Sequence, residues 1–338
     1  MRIVSLLPSA TEIVFALGLG DALVGVTHEC DYPAPARALP VVTSSLLDHA
    51  DATSAEIDHA VSGQLGTGLG LYGLDEQLLA DLKPDLILTQ SLCEVCAVSF
   101  GTVQRAVRDV TPGFPGVAPQ ILSLEPSSLD DILTTISLVG AATGTQERAD
   151  TLVAELRARI EQVRTRAKQA ARAPRVACLE WIDPLFGPGH WLPEMVALAG
   201  GTPGLGVAHA DSRRVSWSDV IAFAPEVMVV TPCGFDLSRT LDEALRVLPY
   251  RAGWEALPAV RNGRVYVVDG NAYFSRPGPR IVDSLELLAR LIHPELFAGW
   301  GPSGAWAPLA GSTQTPARLE DAAAPGPVAA PAGLPTEE

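Results

Sequence analysis

The sequence predicts an α/β fold in which two Rossmann-like lobes, each with a mostly parallel sheet, are bridged by one long α-helix. Apolar segments of strand length alternate with amphipathic segments of helix length, and this alternation is typical of parallel sheets. One helical segment in the middle of the chain is long enough to join two lobes. Similar segments stand on either side of it, at residues 82–93 and 223–233.

The long helical segment covers residues 145–172 and contains neither glycine nor proline. Thr145 is placed to cap its start, and Gly144 separates it from the helix before it. At about 1.5 Å per residue the segment would extend for about 40 Å, so we expect it to connect two lobes rather than cross one. Its apolar residues recur at the spacing of one helical face, and they are Leu152, Leu156, Ile160 and Val163.

The first lobe is predicted to cover residues 1–126. Its strands are predicted at 3–7, 23–27, 40–43, 85–89 and 120–124. Ser9-x-x-Glu12 matches a capping box, so Glu12 is expected to close the first turn of its helix, and Thr53-x-x-Glu56 has the same pattern. In the helical linker, residues 127–172, Ser127 is predicted to cap the helix that precedes the long one.

The second lobe is predicted to cover residues 173–297. Its strands are predicted at 175–179, 226–231 and 264–269, and its last helix is expected to reach His293. Residues 298–338 are rich in proline and alanine and poor in large apolar residues, so we predict a disordered tail there.

Composition excludes some classes of partner. The chain has 338 residues, a net charge of −15 and a pI near 4.8, which argues against nucleic acid and against an anionic membrane surface. The sequence has no apolar segment long enough for membrane insertion. Five cysteines do not form a secreted disulfide framework. We expect a cytoplasmic protein if Met1 is the native start, and a periplasmic or extracellular one only if a signal was removed.

Reactive and aromatic side chains collect where the predicted strands end, which is where ligands bind in open α/β sheets. This concentration is informative because only 6% of the residues are aromatic. The candidate ligand-binding residues in the first lobe are Ser9, Thr11, His28, Glu29, Asp31 and Glu94. Those in the second lobe are Glu180, Trp181, Phe186, His190, Trp191, Phe235, Asn271, Tyr273, Phe274 and Arg276.

Four residues also form a candidate metal site: His28, Cys30, Cys93 and Cys96. The Cys-x-x-Cys spacing suits a tetrahedral ion such as zinc, and iron is a second candidate. The same cysteines are alternatively a thiol redox pair or buried thiols that pack as small apolar residues. Cys178 lies within a predicted strand and is expected in the core.

Several segments resemble the helical-backbone substrate-binding proteins of ABC transporters, in the vitamin B12-binding branch. The resemblance runs from Arg2 to about His293 and is carried by RIVSLLPSATEIVFALGLGDALVGVTHECDYP, LLADLKPDLILTQ, LEWIDPLFGPGHWLPEMVALAGG, WSDVIAFAPEVMVV and NAYFSRPGPRIVDSLELL. It implies a class III periplasmic-binding-protein-like architecture with a small-molecule ligand, cobalamin or another corrinoid, between the lobes. It further implies an ABC permease as a partner if the protein is exported.

Three functions remain open at this stage. The first is non-enzymatic binding of a corrinoid in the cleft, for uptake or salvage. The second is binding of a metal ion or metal chelate, with zinc, iron, haem or a siderophore as ligand. The third is a cytosolic enzyme that reuses the cleft through Glu29, Glu94 or Glu180, although no catalytic motif selects a reaction.

Overall fold

Two sheets, one in each half of the chain, organise the fold. A computed structural model describes residues 1–47, 51–66, 70–90, 100–110 and 118–309. The strands of the first half are β1 (Ile3–Ser5), β2 (Leu23–Gly25), β3 (Thr43–Ser45), β4 (Tyr72–Leu74), β5 (Leu86–Thr89) and β6 (Gln120–Ser123). Its helices are α1 (Pro8–Ala16), α2 (Ser54–Gly66), α3 (Glu76–Leu82) and α4 (Phe100–Val110).

The main sheet of the first lobe is parallel. Among the described residues its strand order is β2-β1-β5-β6, and every pairing in it is parallel. The strands β3 and β4 stand apart from this sheet and pair with each other as a short antiparallel ribbon. The chain between them, which carries α2, is therefore an excursion whose two ends meet.

Two antiparallel helices follow, α5 (Leu129–Thr143) and α6 (Gln146–Ala167). The predicted apolar face of α6 is confirmed, because Leu156 and Val163 are buried and two further predicted members pack partly against the core. The helix ends at Ala167, five residues before the predicted end. Residues after it are mostly exposed, so they offer no apolar face that would extend the helix.

The second lobe repeats the first in outline. Its strands are β7 (Arg175–Leu179), β8 (Phe186–Gly187), β9 (Thr202–Gly204), β10 (Arg213–Arg214), β11 (Val227–Val230), β12 (Val265–Val268) and β13 (Trp306–Pro308). Its helices are α7 (Leu192–Leu198), α8 (Trp217–Phe223), α9 (Leu237–Val247), α10 (Pro258–Arg261) and α11 (Ile281–Ile292). The main sheet has the order β13-β12-β11-β7-β9 in the described part of the chain, and only β13 runs antiparallel to its neighbour there.

The internal repeat predicted from the sequence has a common backbone geometry. Helices α3 and α8 both end in a left-handed residue, Lys83 at φ 44° and Ala224 at φ 48°, and a proline follows each. Each turn leads into a buried central strand, β5 or β11, which ends beside a buried threonine, Thr89 or Thr231. The two α/β units therefore use the same turn to enter their sheets.

Three predicted helix starts are wrong in detail. Helix α1 begins at Pro8 with Leu7 at its N-cap, so Ser9 and Glu12 do not form a capping box. Proline fits the first helical position because it needs no N–H partner there. Ser128, rather than Ser127, caps α5 and forms the capping box with its third helical residue. Thr145 occupies the N-cap position of α6, but its side chain makes no capping hydrogen bond.

Two other boundaries also differ from prediction. The third strand was predicted at 40–43, but β3 begins at Thr43 because its partner β4 pairs only with Thr43–Ser45. The tail was predicted to be disordered from 298, but β13 extends the second sheet as far as Pro308. Trp306 anchors this strand by packing edge-on against Tyr266, with ring centroids 5.5 Å apart. Residues 310–338 lie outside the described part of the chain.

The cores of the sheets are apolar, and the carboxyl ends of their strands face the other lobe. The loop after β2 contacts the loop after β12, and Trp181 in the loop after β7 contacts the start of α2. In the described ranges, no helix is both long enough and apolar enough to cross a membrane.

Candidate functional site

One side of the interface between the lobes is closed by a group of charged and polar residues. We call it the clasp, and it consists of Glu12, Asp31, Asn271, Arg276 and Arg280. Arg280 forms two hydrogen bonds with the carboxylate of Glu12, at 2.6 and 3.0 Å. Arg276 donates to Asp31 and to the side-chain oxygen of Asn271, and its Nη1 lies 3.6 Å from Glu12.

Burial sets the electrostatics of the clasp. The side chains of Glu12 and Arg276 are 2% and 5% exposed. Burial raises the pKa of Glu12, and the charges of Arg280 and Arg276 oppose that rise. Burial also acts to raise the pKa of Asp31, but the hydrogen bond and charge of Arg276 outweigh it and lower that pKa. Since removing one partner would leave a buried charge unpaired, the clasp behaves as a structural contact.

The other side of the interface is closed by the strap, which we define as residues 51–66. Thr53 and Glu56 form the predicted capping box at the start of α2. The opposite lobe adds a contact there, because Ser54 donates from its backbone N–H and its hydroxyl to the buried carboxylate of Glu243. The indole N–H of Trp181 donates to the carbonyl oxygen of Ser54 at 3.1 Å. Arg214 forms two hydrogen bonds with Asp58, at 2.7 and 2.9 Å.

Under the strap lies a pair of aromatic rings. Trp181 packs edge-on against Phe235, with ring centroids 5.1 Å apart. Arg239 lies 4.0 Å above the Phe235 ring and also donates to the carbonyl oxygen of Ala52 at the start of the strap. Phe186 forms an isolated bridge with Trp181, which holds the loop after β7 in place. Phe235 is itself buried, so the rings of this group that remain partly exposed are those of Trp181 and Phe186.

Glu180 lies next to Trp181 and is hydrogen-bonded by Ser212 and by the backbone N–H of Gly189. Burial raises the pKa of Glu180 to about 7, although both hydrogen bonds act to lower it. A carboxyl group with such a pKa exchanges a proton near neutrality. The geometry gives it a clear structural task, which is to hold the loop around Gly189 against the end of β7.

His28 follows β2 and is oriented by a hydroxyl network. The Thr43 hydroxyl donates to Thr27 and lies 2.7 Å from Nδ1 of His28, so it accepts from an Nδ1–H group. The Nε2 atom forms no hydrogen bond with the described residues, but it faces the carboxylate of Glu29 at 3.3 Å. The ring packs against Tyr72, with centroids 5.5 Å apart.

Several predicted ligand contacts have their polar groups bound within the protein. Thr11 is fully buried and bonds to Ser5 and to the Cys30 thiol. Burial raises the pKa of Cys30 to about 11. The predicted ligand role of Thr11 and the predicted metal role of Cys30 stay predictions. Ser9 is buried against the second lobe, where a Cβ added to Gly278 would lie 3.2 Å from its carbonyl oxygen.

The remaining predicted aromatic residues support the interface. The indole of Trp191 donates to the carbonyl oxygen of Phe274 at 3.1 Å, and Phe274 itself is buried. His190 lies beside Trp191 and 3.4 Å from Asp211. Tyr273 lies near the guanidinium of a clasp arginine, 5.3 Å from its ring centroid. These residues therefore have different contacts from Trp181, although the sequence analysis placed them in one group with it.

The predicted metal site is only partly testable here. Cys93, Glu94 and Cys96 lie outside the described residues. Within the described ranges, no group of three or more His, Cys, Asp or Glu side chains is placed to hold a metal ion. Cys178 is buried in β7, as expected for a core residue.

Sequence reasoning missed most of the residues that join the lobes. They are Glu12, Ser54, Asp58, Arg214, Arg239, Glu243 and Arg280. Ser54 and Glu243 are 189 residues apart in the chain, so no local pattern links them. For Glu12, the capping pattern gave a sufficient local explanation and concealed the long-range one.

Comparison with known proteins fits this geometry. The periplasmic binding protein family matches residues 3–272. The chain belongs to that family. It is 25% identical over 304 residues to an uncharacterized ABC transporter substrate-binding lipoprotein of Bacillus subtilis (strain 168), covering 88% of this chain and 81% of that protein. It is 30% identical over 238 residues to the vitamin B12-binding protein of Yersinia pestis (strain Pestoides F), covering 68% and 69%.

Solved structures of periplasmic binding proteins confirm the fold. A periplasmic heme binding protein from Pseudomonas aeruginosa superposes with a TM-score of 0.68 over 93% of this chain and 99% of that one. Its sequence identity is 19%, so it shows the fold alone. The resemblance predicted from the sequence and the α/β class are both confirmed, and this periplasmic binding protein has a solute-binding architecture.

Proposed function

We propose that this periplasmic binding protein binds a corrinoid, in the manner of cobalamin, between its two lobes and without chemical change. The observation that carries the proposal is the half-buried Trp181 ring, which lies beyond the end of β7 in the second lobe and contacts the first lobe. The sequence of this chain is also 30% identical to that of a vitamin B12-binding protein, which supports a corrinoid as the ligand. A flat apolar surface suits a macrocycle because large ligands gain most of their affinity from buried apolar area.

The polar contents of the interface also favour binding over catalysis. The clasp carboxylates are engaged by arginines, and Glu180 is engaged by Ser212 and Gly189. A general acid or base needs a free approach to its substrate, and these groups are used in holding the structure together. The enzyme alternative therefore has no constellation to support it among the described residues.

Titration with cyanocobalamin tests the proposal. The protein is purified under reducing conditions, and its absorption spectrum and metal content are recorded before ligand is added. We expect a change in Trp fluorescence and a Kd of micromolar or below, since a cleft ligand contacts Trp181. The absence of binding at millimolar cyanocobalamin would refute the corrinoid proposal.

A second candidate is a metal chelate of the haem type. His28 favours it, because the Thr43 hydroxyl orients its ring and its Nε2 atom forms no hydrogen bond in the described part of the chain. A neutral imidazole nitrogen oriented in this way is a ligand for a metal centre. Titration with haemin separates the two candidates. A Soret shift that is lost in His28→Ala, together with no response to cyanocobalamin, would favour haem.

The partner of the protein is part of the same proposal. A relative carries the name of an ABC transporter substrate-binding lipoprotein, so we propose that an ABC permease receives the ligand. Co-purification of the loaded protein with a membrane fraction that contains the permease tests this step, and the ligand-free protein is the control. Equal and negligible recovery of both forms would argue for salvage or storage in place of transport.

A further inference from the structure

The strap buries few side chains against its own lobe. It leaves the first lobe through β3 and returns through β4, and those strands pair with each other rather than with the main sheet. Among the described side chains of residues 51–64, only Ser54 and Ile57 are buried. A segment with so little buried apolar area contributes little to holding itself in place.

The second lobe supplies the polar contacts that seat the strap. Glu243 and Trp181 bond to Ser54 at the start of α2, and Arg239 bonds to Ala52. These three contacts converge on the first turn of α2. The carboxylate of Glu243 is also favourably placed for the helix dipole, since it lies at a helix N-terminus.

The fourth contact is an ion pair that remains in contact with solvent. Arg214 is 57% exposed and Asp58 is 19% exposed. Exposed ion pairs contribute little to stability because water and salt screen them. The strap is therefore held at its start by a buried contact between Ser54 and Glu243, and at Asp58 by an ion pair that can be exchanged for water.

The strap covers the surface that the proposed ligand needs. It takes the only N–H donor of the Trp181 ring, and through Arg239 it adjoins the face of Phe235. A macrocycle cannot reach this aromatic pair from the strap side while Ser54 stays seated on Trp181. Seating of the strap and entry of the ligand are thus coupled through the same two aromatic residues.

We propose that residues 51–66 form a removable wall of the ligand site, seated by Glu243, Trp181 and Arg214, which opens to admit the ligand while the clasp stays closed. Glu243 is a positioning residue in this scheme, because it acts through the first turn of α2. The identity of the ligand comes from the proposed function, but the opening of the strap does not depend on it.

Asp58→Arg provides the test, because it places like charges opposite each other at the Arg214 contact. The double variant Asp58→Arg/Arg214→Asp restores the opposite charges. Asp130→Arg is the matched control, since it breaks an exposed ion pair with Arg157, 2.7 Å long, on the helical linker. Stopped-flow mixing with cyanocobalamin, or with haemin, gives the rates of association and dissociation. Hydrogen exchange of the ligand-free protein gives the opening of the strap.

We expect Asp58→Arg to raise both ligand rates about fivefold and to speed amide exchange in α2, while the double variant and the control stay near wild type. Unchanged ligand rates despite faster exchange would overturn the proposal. If wild type binds neither probe, the proposed function fails and exchange decides alone. In that case, amide exchange is compared between α2 and α6 of the wild-type protein. Equal protection of the two helices would overturn the removable wall, and much faster exchange in α2 would support it.

Discussion

The two sides of the interface between the lobes are built from different chemistry. The clasp joins Glu12 to Arg280 and Arg276 in an almost fully buried site. The strap joins Asp58 to Arg214 at a site that water reaches. Burial makes the loss of one partner expensive on the first side and cheap on the second. The difference concerns the ion pairs alone, because the Ser54–Glu243 contact of the strap is as buried as the clasp.

Breaking the clasp gives the largest expected effect. Glu12→Ala leaves two buried guanidinium groups without their shared carboxylate, so we expect the free energy of unfolding to fall by about 3–5 kcal/mol. Urea denaturation of both proteins measures this change. Glu12→Gln should lose less, because its amide oxygen still accepts a hydrogen bond. A loss below about 1 kcal/mol for Glu12→Ala would mean that the clasp is not structural.

The strap side is expected to respond to pH through Glu180. Because burial raises the folded pKa of Glu180 to about 7 from 4.5, its contribution is fully present below pH 4.5 and is lost as pH rises to about 7. The free energy of unfolding falls by about 3 kcal/mol at most over this range. The actual fall is smaller, because Glu180 is partly exposed to solvent. Glu180→Gln removes the titration, so its free energy of unfolding should fall less between pH 4.5 and 8. Identical pH profiles for the two proteins would contradict the assignment.

Replacing Trp181 separates its flat surface from its hydrogen bond to the strap. Trp181→Ala removes both, so we expect cyanocobalamin affinity to fall about tenfold, which corresponds to about 1.4 kcal/mol. Trp181→Phe keeps an aromatic face and loses only the bond to Ser54, so we expect a fall of about twofold or less. Isothermal titration measures both. Equal losses of affinity in the two variants would mean that Trp181 contributes through its hydrogen bond to the strap and not through its flat surface.

The smallest expected effect comes from truncating the strap ion pair. Asp58→Ala should lower the free energy of unfolding by less than about 1 kcal/mol, because Arg214 becomes solvated when its partner is lost. Urea denaturation at low and high salt checks this expectation, since screening should shrink even that difference. A loss as large as that of Glu12→Ala would erase the distinction between the two sides.

Local patterns predicted most of the fold. The strand at 175–179 and the capping box of Thr53 and Glu56 appear in the structure as predicted. Local patterns failed where two explanations competed. Ser9-x-x-Glu12 has the spacing of a capping box, yet Glu12 binds an arginine 268 residues away. The predicted cellular location stays a prediction, as does the role of the cysteines at 93 and 96.

The sequence by itself determined the alternation of strands and helices, the long helix and the loops that bear the site, because each depends on residues that are neighbours in the chain. Only the tertiary structure decided which charges pair across the cleft and which indole contacts the strap. Trp181 and Ser54 are 127 residues apart, and their contact exists because two sheets present their carboxyl ends to each other. Burial then decided how strongly each ion pair stabilises the protein. The carboxylate–arginine pair of the clasp is buried, whereas the pair of Asp58 and Arg214 at the strap is exposed to water and salt.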